Sequence, residues 1–369
     1  MSHQSEQAPS LAYSNFINTC RSPATRILYK RGMEYFMKFS KLESYDRILD
    51  LDPKLLQMNI CDYIVFLKSK GLASRTIASY VAAIHRFLDM NDVISLNWKK
   101  IHSFEPELER STEDRPYTRD EIAILLSKSS PRDRAILLLM VSSGVRVGAI
   151  GYPLLLRDLQ PIDKHHIYKI TCYRRSSARY YTFCSFEARK EIDSYLDWRR
   201  RLGEKLTDDS PVFRKAFDPL RVQKPIPVTV TSASWTINNL LKQCGLRTFE
   251  PLKEGEKIPK RTEIMRCHAT RKFFETQAFK AGMNNMYIRR LMGQKGGESS
   301  LEDSYLKLSE EELLEGDDHH VGYIGIIDQL TIDESHRLKR EVEHYKVKAS
   351  QFDSLRAEID ELKELIGNK

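Results

Sequence analysis

Residues 267–274 read CHATRKFF, with His268 and Arg271 three positions apart and the pair Phe273 and Phe274 directly after them. On a helix, positions i and i+3 share a face. The imidazole and the guanidinium therefore project together, while the two phenylalanines begin the apolar side. Upstream, residues 142–150 read SSGVRVGAI, and the apolar helix PRDRAILLLMVSS that opens at Pro131 stops at Gly144. Arg146 is thus presented from a tight connection and not from an exposed helical face. Downstream, residues 289–305 read RRLMGQKGGESSLEDSY, in which Gly293, Gly296 and Gly297 break the chain and let Tyr305 turn back towards the same place. A histidine and an arginine so arranged can both donate to one phosphate. Taken singly, each segment is equally an ordinary surface helix or turn, and Tyr305 is one of 17 tyrosines.

Outward from these segments the chain is mainly helical. Thr118-Arg-Asp-Glu121 is a capping box that opens a helix, and a second domain begins near residue 117. Within it, HIYKITCY and ARYYTFC are rich in β-branched and aromatic residues and are separated by RRSS, which predicts an antiparallel hairpin. Helices return over about 186–202, 232–243, 267–281 and 285–292. Before residue 92 three amphipathic helices are expected. The first opens at Ser22-Pro23 with an apolar face of Ile27, Leu28, Met33, Phe36 and Met37; the second is PKLLQMNICDYIVFLKS; the third, Ser74 to about Met90, carries Ile77, Tyr80, Val81, Ile84, Phe87 and Leu88. The fold class is therefore mainly α with a small antiparallel β-sheet. Its expected domains are a disordered N-terminus (1–12), a helical bundle (13–92), a linker (93–116) in which Glu105, Glu107, Glu109, Glu113 and Asp114 cluster around Pro106 and Pro116, a second domain (117–315) and a helical extension (316–369). In that extension Leu338, Val342, Tyr345, Ala349 and Phe352, then Leu355, Ile359, Leu362 and Ile366, form a heptad seam with one stammer. Such a seam suits a coiled coil or a helix docked on its own domain.

At 369 residues and 41% hydrophobic, the chain has apolar material for two or three cores. No apolar run approaches the roughly 20 residues of a membrane helix, and the polar start MSHQSEQAPS is unlike a signal peptide, so a cytoplasmic, nucleoid-associated place is expected. Six scattered cysteines without a C-x-x-C pair indicate neither zinc nor a disulfide framework. Lys and Arg outnumber Asp and Glu by 50 to 33 over residues 1–301, whereas residues 302–330 hold 1 base and 9 acids. A polyanion is the natural partner of so cationic a body. The bland alternative is a basic protein with solvated lysines. The chain has no G-x-x-x-x-G-K-[ST], G-x-G-x-x-G, G-x-S-x-G or H-E-x-x-H motif, which argues against ATP hydrolysis, dinucleotide chemistry and serine hydrolysis. Asp317-Asp318-His319-His320 reads as a solvated loop, because adjacent residues do not converge on one ion; no metal or cofactor is expected.

The order of G-V-R, a β-hairpin with basic residues in its turn, H-x-x-R, L-M-G and a downstream tyrosine resembles the tyrosine recombinase (phage integrase) family. The segments SPATRILYKRGMEYFMKF and SRTIASYVAAIHRFL resemble that family's core-binding domain, so the likeness covers about 14–310; RYYTF and SFEARKEIDSYL are similar to the branch found in archaeal mobile elements. The resemblance implies site-specific DNA cleavage and rejoining through a 3′-phosphotyrosine. In it Tyr305 is the nucleophile, Arg146 and Arg271 clamp the phosphate, His268 acts as base and Gln294 is a hydrogen-bond donor. It also implies double-stranded DNA as partner and a tetramer on that DNA, with no ATP, metal or small-molecule substrate. Arginine forks suit the clamp, and a phenol of pKa near 10 needs a positive field and a base to attack. Lys30, Arg31, Arg75, Arg86, Arg174, Lys272, Arg289 and Arg290 are the cations expected to meet DNA, or merely water. Three positions depart from the family pattern. Where a hairpin lysine is usual stand Arg174 and Arg175, with Arg175 the better match and Lys169 or Lys164 as substitutes; Ala149 replaces a glutamate; Gln294 replaces a histidine or tryptophan. They motivate the alternative of a sequence-specific DNA-binding protein on this fold with impaired catalysis. A type IB topoisomerase is a third reading.

Overall fold

Helix boundaries follow capping chemistry closely. The computed structural model describes residues 10–20, 22–93, 96–107, 114–218, 224–247, 263–294 and 308–335, with single positions 338, 342, 346 and 356. They fall into two compact units, one within Met1–Thr112 and one within Glu113–Phe249 and Thr262–Lys369.

The first unit is all helical: α1 (Leu11–Asn18), α2 (Pro23–Ser40), α3 (Asp46–Leu49), α4 (Pro53–Ser69), α5 (Ser74–Asp89) and α6 (Trp98–His102). Asp52 caps α4 through the Lys54 and Leu55 amides. Met33, Phe36, Ile60, Tyr63, Ile64, Leu67, Ile77, Val81, Ile84 and Phe87 are buried together, with Phe36 edge-on to Tyr63 at 5.2 Å. Three local expectations are corrected. Helix α1 starts inside the stretch expected to be disordered, because Ser10 caps it and Phe16 is buried. Helix α6 lies in the expected linker, held by buried Ile101 and by the Asn97 cap. Ile27, assigned to the apolar face of α2, is 71% exposed and Leu28 is exposed too, so α2 turns only Met33 and Phe36 fully inward.

The second unit is built around one helix. In α8 (Pro131–Ser143) every residue from Ala135 to Ser143 is buried. Around it pack α10 (Phe186–Arg201) and α12 (Arg266–Lys280), together with a sheet of β1 (Leu159–Ile162), β2 (Ile167–Cys172) and β3 (Tyr180–Cys184) in the order β1-β2-β3. Both strand pairs are antiparallel, with Leu159 opposite Ile170 and Cys172 opposite Tyr180. The expected hairpin is β2–β3; β1, an edge strand carrying Pro161, shows no alternating apolar pattern and forms through its pairing with β2. The unit is completed by α7 (Arg119–Lys128), α9 (Val147–Gly151), α11 (Val230–Gln243), α13 (Asn285–Leu291), α14 (Glu310–Glu315) and α15 (Tyr323–Leu330). Helix α15 is core: Tyr323, Ile326, Ile327 and Leu330 are buried and the Tyr323 hydroxyl donates to Ser142 O at 2.8 Å. Each such side chain contributes about 1.5–3 kcal/mol on burial, so residues 323–330 belong to this unit and not to a separate tail. Of the heptad seam only Leu338 and Val342 are described, and both are exposed; its other positions lie outside the described residues. Among the described residues no helix is long and apolar enough to cross a membrane.

Candidate active site

Two turns and a helix of the second unit are fastened to one another by two arginines. Gly144 ends α8 in the left-handed region (φ 62), where a Cβ would lie 2.6 Å from the Phe274 ring and 3.2 Å from Met292. Only glycine has both that conformation and that room. The turn delivers Arg146, exposed, to the N-cap of α9, where its Nη1 donates to Gly293 O at 2.9 Å. Arg271 comes from α12 and is 6% exposed. Its Nη1 donates to Gly144 O, and Nη1 and Nη2 reach Met292 O at 3.3 and 3.2 Å. The G-V-R turn, the H-x-x-R helix and the L-M-G turn therefore meet, as side chains at 146 and 271 hold carbonyls at 144, 292 and 293.

No carboxylate pairs with either guanidinium among the described residues. Burial lowers the affinity of Arg271 for its proton, and the neighbouring positive charge of Arg146 lowers it further. Two like charges held close over neutral carbonyls leave a positive excess that an anion would relieve. His268 stands exposed one turn before Arg271. Its pKa is held below the ordinary histidine value by burial, by Lys272 and by Arg271, so at neutral pH the ring is a proton acceptor.

The hairpin closes the site from the other side. Tyr173, at the end of β2, adopts φ 52, uncommon for a bulky residue and a cost of about 1–3 kcal/mol. This twist carries its hydroxyl over α9, 2.7 Å from where a Cβ on Gly148 would be. The ring stands 5.6 Å from Tyr152 and 6.1 Å from Tyr180. Tyr180 in turn fills the space beside Gly293. Sequence reasoning did not select Tyr173, because nothing in Cys172-Tyr173-Arg174 marks the left-handed backbone that redirects it.

The remaining site candidates separate into engaged and free. Arg174 is tied to buried Asp158 and donates to Arg157 O at 2.6 Å, so it anchors the turn. Arg175 is exposed and makes no ion pair or hydrogen bond among the described residues. Lys169 is paired with Glu310 and lies against the Tyr181 ring; Lys164 is 2.7 Å from Glu315. Lys272 donates to Asp114 O at 2.5 Å and lies 3.1 Å from the Asp114 carboxylate. Gln294 is half-buried, its Nε2 3.9 Å from the Met292 sulfur. Arg289 is exposed, and Arg290 is near enough to Tyr181 to act on its phenol. In the first unit Arg31 lies over the Tyr35 ring, Lys30 is 3.8 Å from Glu34, and Arg75 and Arg86 are exposed, the latter 3.4 Å from Thr19. Tyr305 lies outside the described residues. Asp317 accepts from the His319 and His320 amides, from His320 Nδ1 and from Tyr287, which makes it the centre of a turn. Among the described residues no group of three or more ligating side chains is placed to hold a metal.

Solved structures share this architecture. An XerH site-specific recombinase bound to a palindromic difH substrate in a post-cleavage complex matches with a TM-score of 0.53 and 16% identity over 74% of each chain. The Tn1549 transposon integrase with transposon right-end DNA gives 0.53 and 16% over 81% of this chain and 94% of that one. A lambda integrase dimer on a COC′ core site gives 0.53 and 13% over 81% and 96%. The fold is that of the tyrosine recombinases. At these identities the likeness is one of architecture, and no family model and no curated protein matches the chain.

Proposed function

We propose that this chain is a site-specific tyrosine recombinase that cleaves and rejoins double-stranded DNA. The observation that carries the reading is the convergence of Arg146 and Arg271 on the two turns at Gly144 and Met292–Gly293, with no described carboxylate paired to either guanidinium. The scissile phosphate is the anion for that place. Both forks bind its non-bridging oxygens and stabilise the charge that grows in the transition state. Tyr305 attacks the phosphorus, His268 takes the phenol proton, Gln294 donates to a phosphate oxygen and Arg175 adds positive charge at the hairpin. The bond energy stays in the 3′-phosphotyrosine, so rejoining requires neither ATP nor metal. Lys30, Arg31, Arg75, Arg86, Arg289 and Arg290 meet the DNA backbone. Exchange of strands between two duplexes calls for four such chains on DNA, with the heptad tail beyond residue 335 as the coupling element.

A second reading has an observation of its own. Lys164 and Lys169 are both held by glutamates and Arg174 by Asp158, so among the described residues no free lysine stands at the hairpin. This favours a DNA-binding protein that no longer cuts. The two readings separate on a nicked suicide duplex carrying the site that the chain selects from a pool of randomised sequences. The recombinase forms an adduct that survives denaturation and vanishes in Tyr305→Phe. Selective binding without any adduct would establish the second reading.

A further inference from the structure

A departing 5′ oxygen is an alkoxide and needs a proton, yet the hairpin cations are poorly suited to give one. Arg174, Lys169 and Lys164 are committed to carboxylates, and Arg175, unpaired among the described residues, hardly gives up its proton. The Tyr173 phenol at the same turn is not so committed. It makes no hydrogen bond among the described residues, and it is directed over the first turn of α9, whose N-cap is Arg146.

We propose that Tyr173 is the proton donor to the leaving 5′ oxygen, a catalytic residue that takes the role of the usual hairpin lysine from a neighbouring position. This rests on the recombinase reading above. The left-handed backbone at Tyr173 is what aims the ring at α9 and not along the strand, and the bare face of Gly148 is what makes room for the hydroxyl. Burial raises the phenol above its ordinary value, while Arg146 and Arg271 oppose that rise. The same two charges steady the phenolate left after transfer.

The step balances. As the attacking phenol oxygen forms its bond to phosphorus, the P–O5′ bond breaks and O5′ keeps that electron pair. O5′ takes the Tyr173 proton and becomes a 5′-hydroxyl; the attacking phenol's own proton goes to His268. In rejoining, the Tyr173 phenolate takes the proton from the returning 5′-hydroxyl, and His268 restores one to the released phenol.

The test uses the full chain and the selected suicide duplex in two forms, one ordinary and one with sulfur replacing the bridging 5′ oxygen at the scissile phosphate. A thiolate leaves without a proton. Tyr173→Phe should cleave the ordinary duplex slower by about 10²-fold or more and cleave the sulfur duplex at the rate of the unaltered chain. Its affinity for DNA should be unchanged, whereas Arg146→Ala should be slow on both duplexes. Equal slowing of Tyr173→Phe on both, or slowing on neither, overturns the proposal. Rescue of Arg175→Ala by sulfur in place of Tyr173→Phe overturns it and assigns the role to the hairpin arginine. An unaltered chain that forms no adduct on either duplex fails one step earlier, at the recombinase reading itself.

Discussion

Of the three buried arginines described in the second unit, Arg199 and Arg271 are 0% and 6% exposed and are held in opposite ways. Arg199 donates through Nε and Nη2 to the Glu204 carboxylate at 3.1 and 2.5 Å and through Nη1 to Pro211 O and Val212 O at 2.8 and 2.9 Å. Arg214 reaches the same Glu204 at 2.7 Å. Among the described residues Arg271 donates only to carbonyl oxygens, and the charge of Arg146 acts on it. The first arrangement fastens the segment after α10 to the core and needs nothing more. The second satisfies the geometry of the donors and leaves their charge open, which is the condition of an anion site. Burial alone does not separate a structural arginine from a functional one; the presence of a carboxylate does.

The Arg199 network should be structural. Glu204→Ala leaves two guanidinia buried without their counter-charge and should cost about 3–5 kcal/mol, read by urea denaturation. Burial opposes ionisation of Glu204, but its two arginines hold the pKa below the usual carboxylate value. A depressed carboxylate stabilises the fold above its unfolded pKa, and that contribution fades as pH falls through the folded value. Arg271→Ala should instead act on chemistry, lowering single-turnover cleavage by about 10²–10³-fold at a stability cost well below that of Glu204→Ala. Equal destabilisation by the two substitutions would erase the distinction.

A direct probe of the open charge is sulfate. At about ten times its dissociation constant it should add about 1.4 kcal/mol, a rise of about 2–4 °C in Tm, absent from the Arg146→Ala, Arg271→Gln double variant. The smallest effect concerns His268. Its lowered pKa keeps the ring neutral until pH falls below the usual histidine range, so cleavage should decline only there. Lys272→Met removes a positive neighbour and raises that pKa; the acid limb of the pH–rate profile should move upward. A downward shift, or none, would mean that His268 is not the base.

What could be read directly in the residues is local. The capping box at Thr118 and Glu121, the Ser130 cap and the stop at Gly144 place helices as they stand, since each depends on hydrogen bonds and backbone preferences within a few positions. The strands of the hairpin were equally legible in IYKITC and YYTFC. Exposure of Ile27 was not, because the helical period says which residues share a face and not how much of that face a neighbour covers. Likewise the sequence does not say which of Arg174 and Arg175 is tied down, and it is Asp158, folded back from before β1, that binds Arg174, while Arg175 makes no ion pair among the described residues.

The linear chain by itself determined the helices, the hairpin and the stock of cations and phenols available for chemistry, because short-range capping and periodicity decide those. Folding alone decided which charges are paired and which are not: Arg199 meets Glu204, Arg271 donates only to carbonyls among the described residues, and Tyr173 is turned over α9, whose N-cap is Arg146, by a backbone angle that no neighbouring residue announces. Charge compensation is a matter of distances across space, and residues remote in sequence set them.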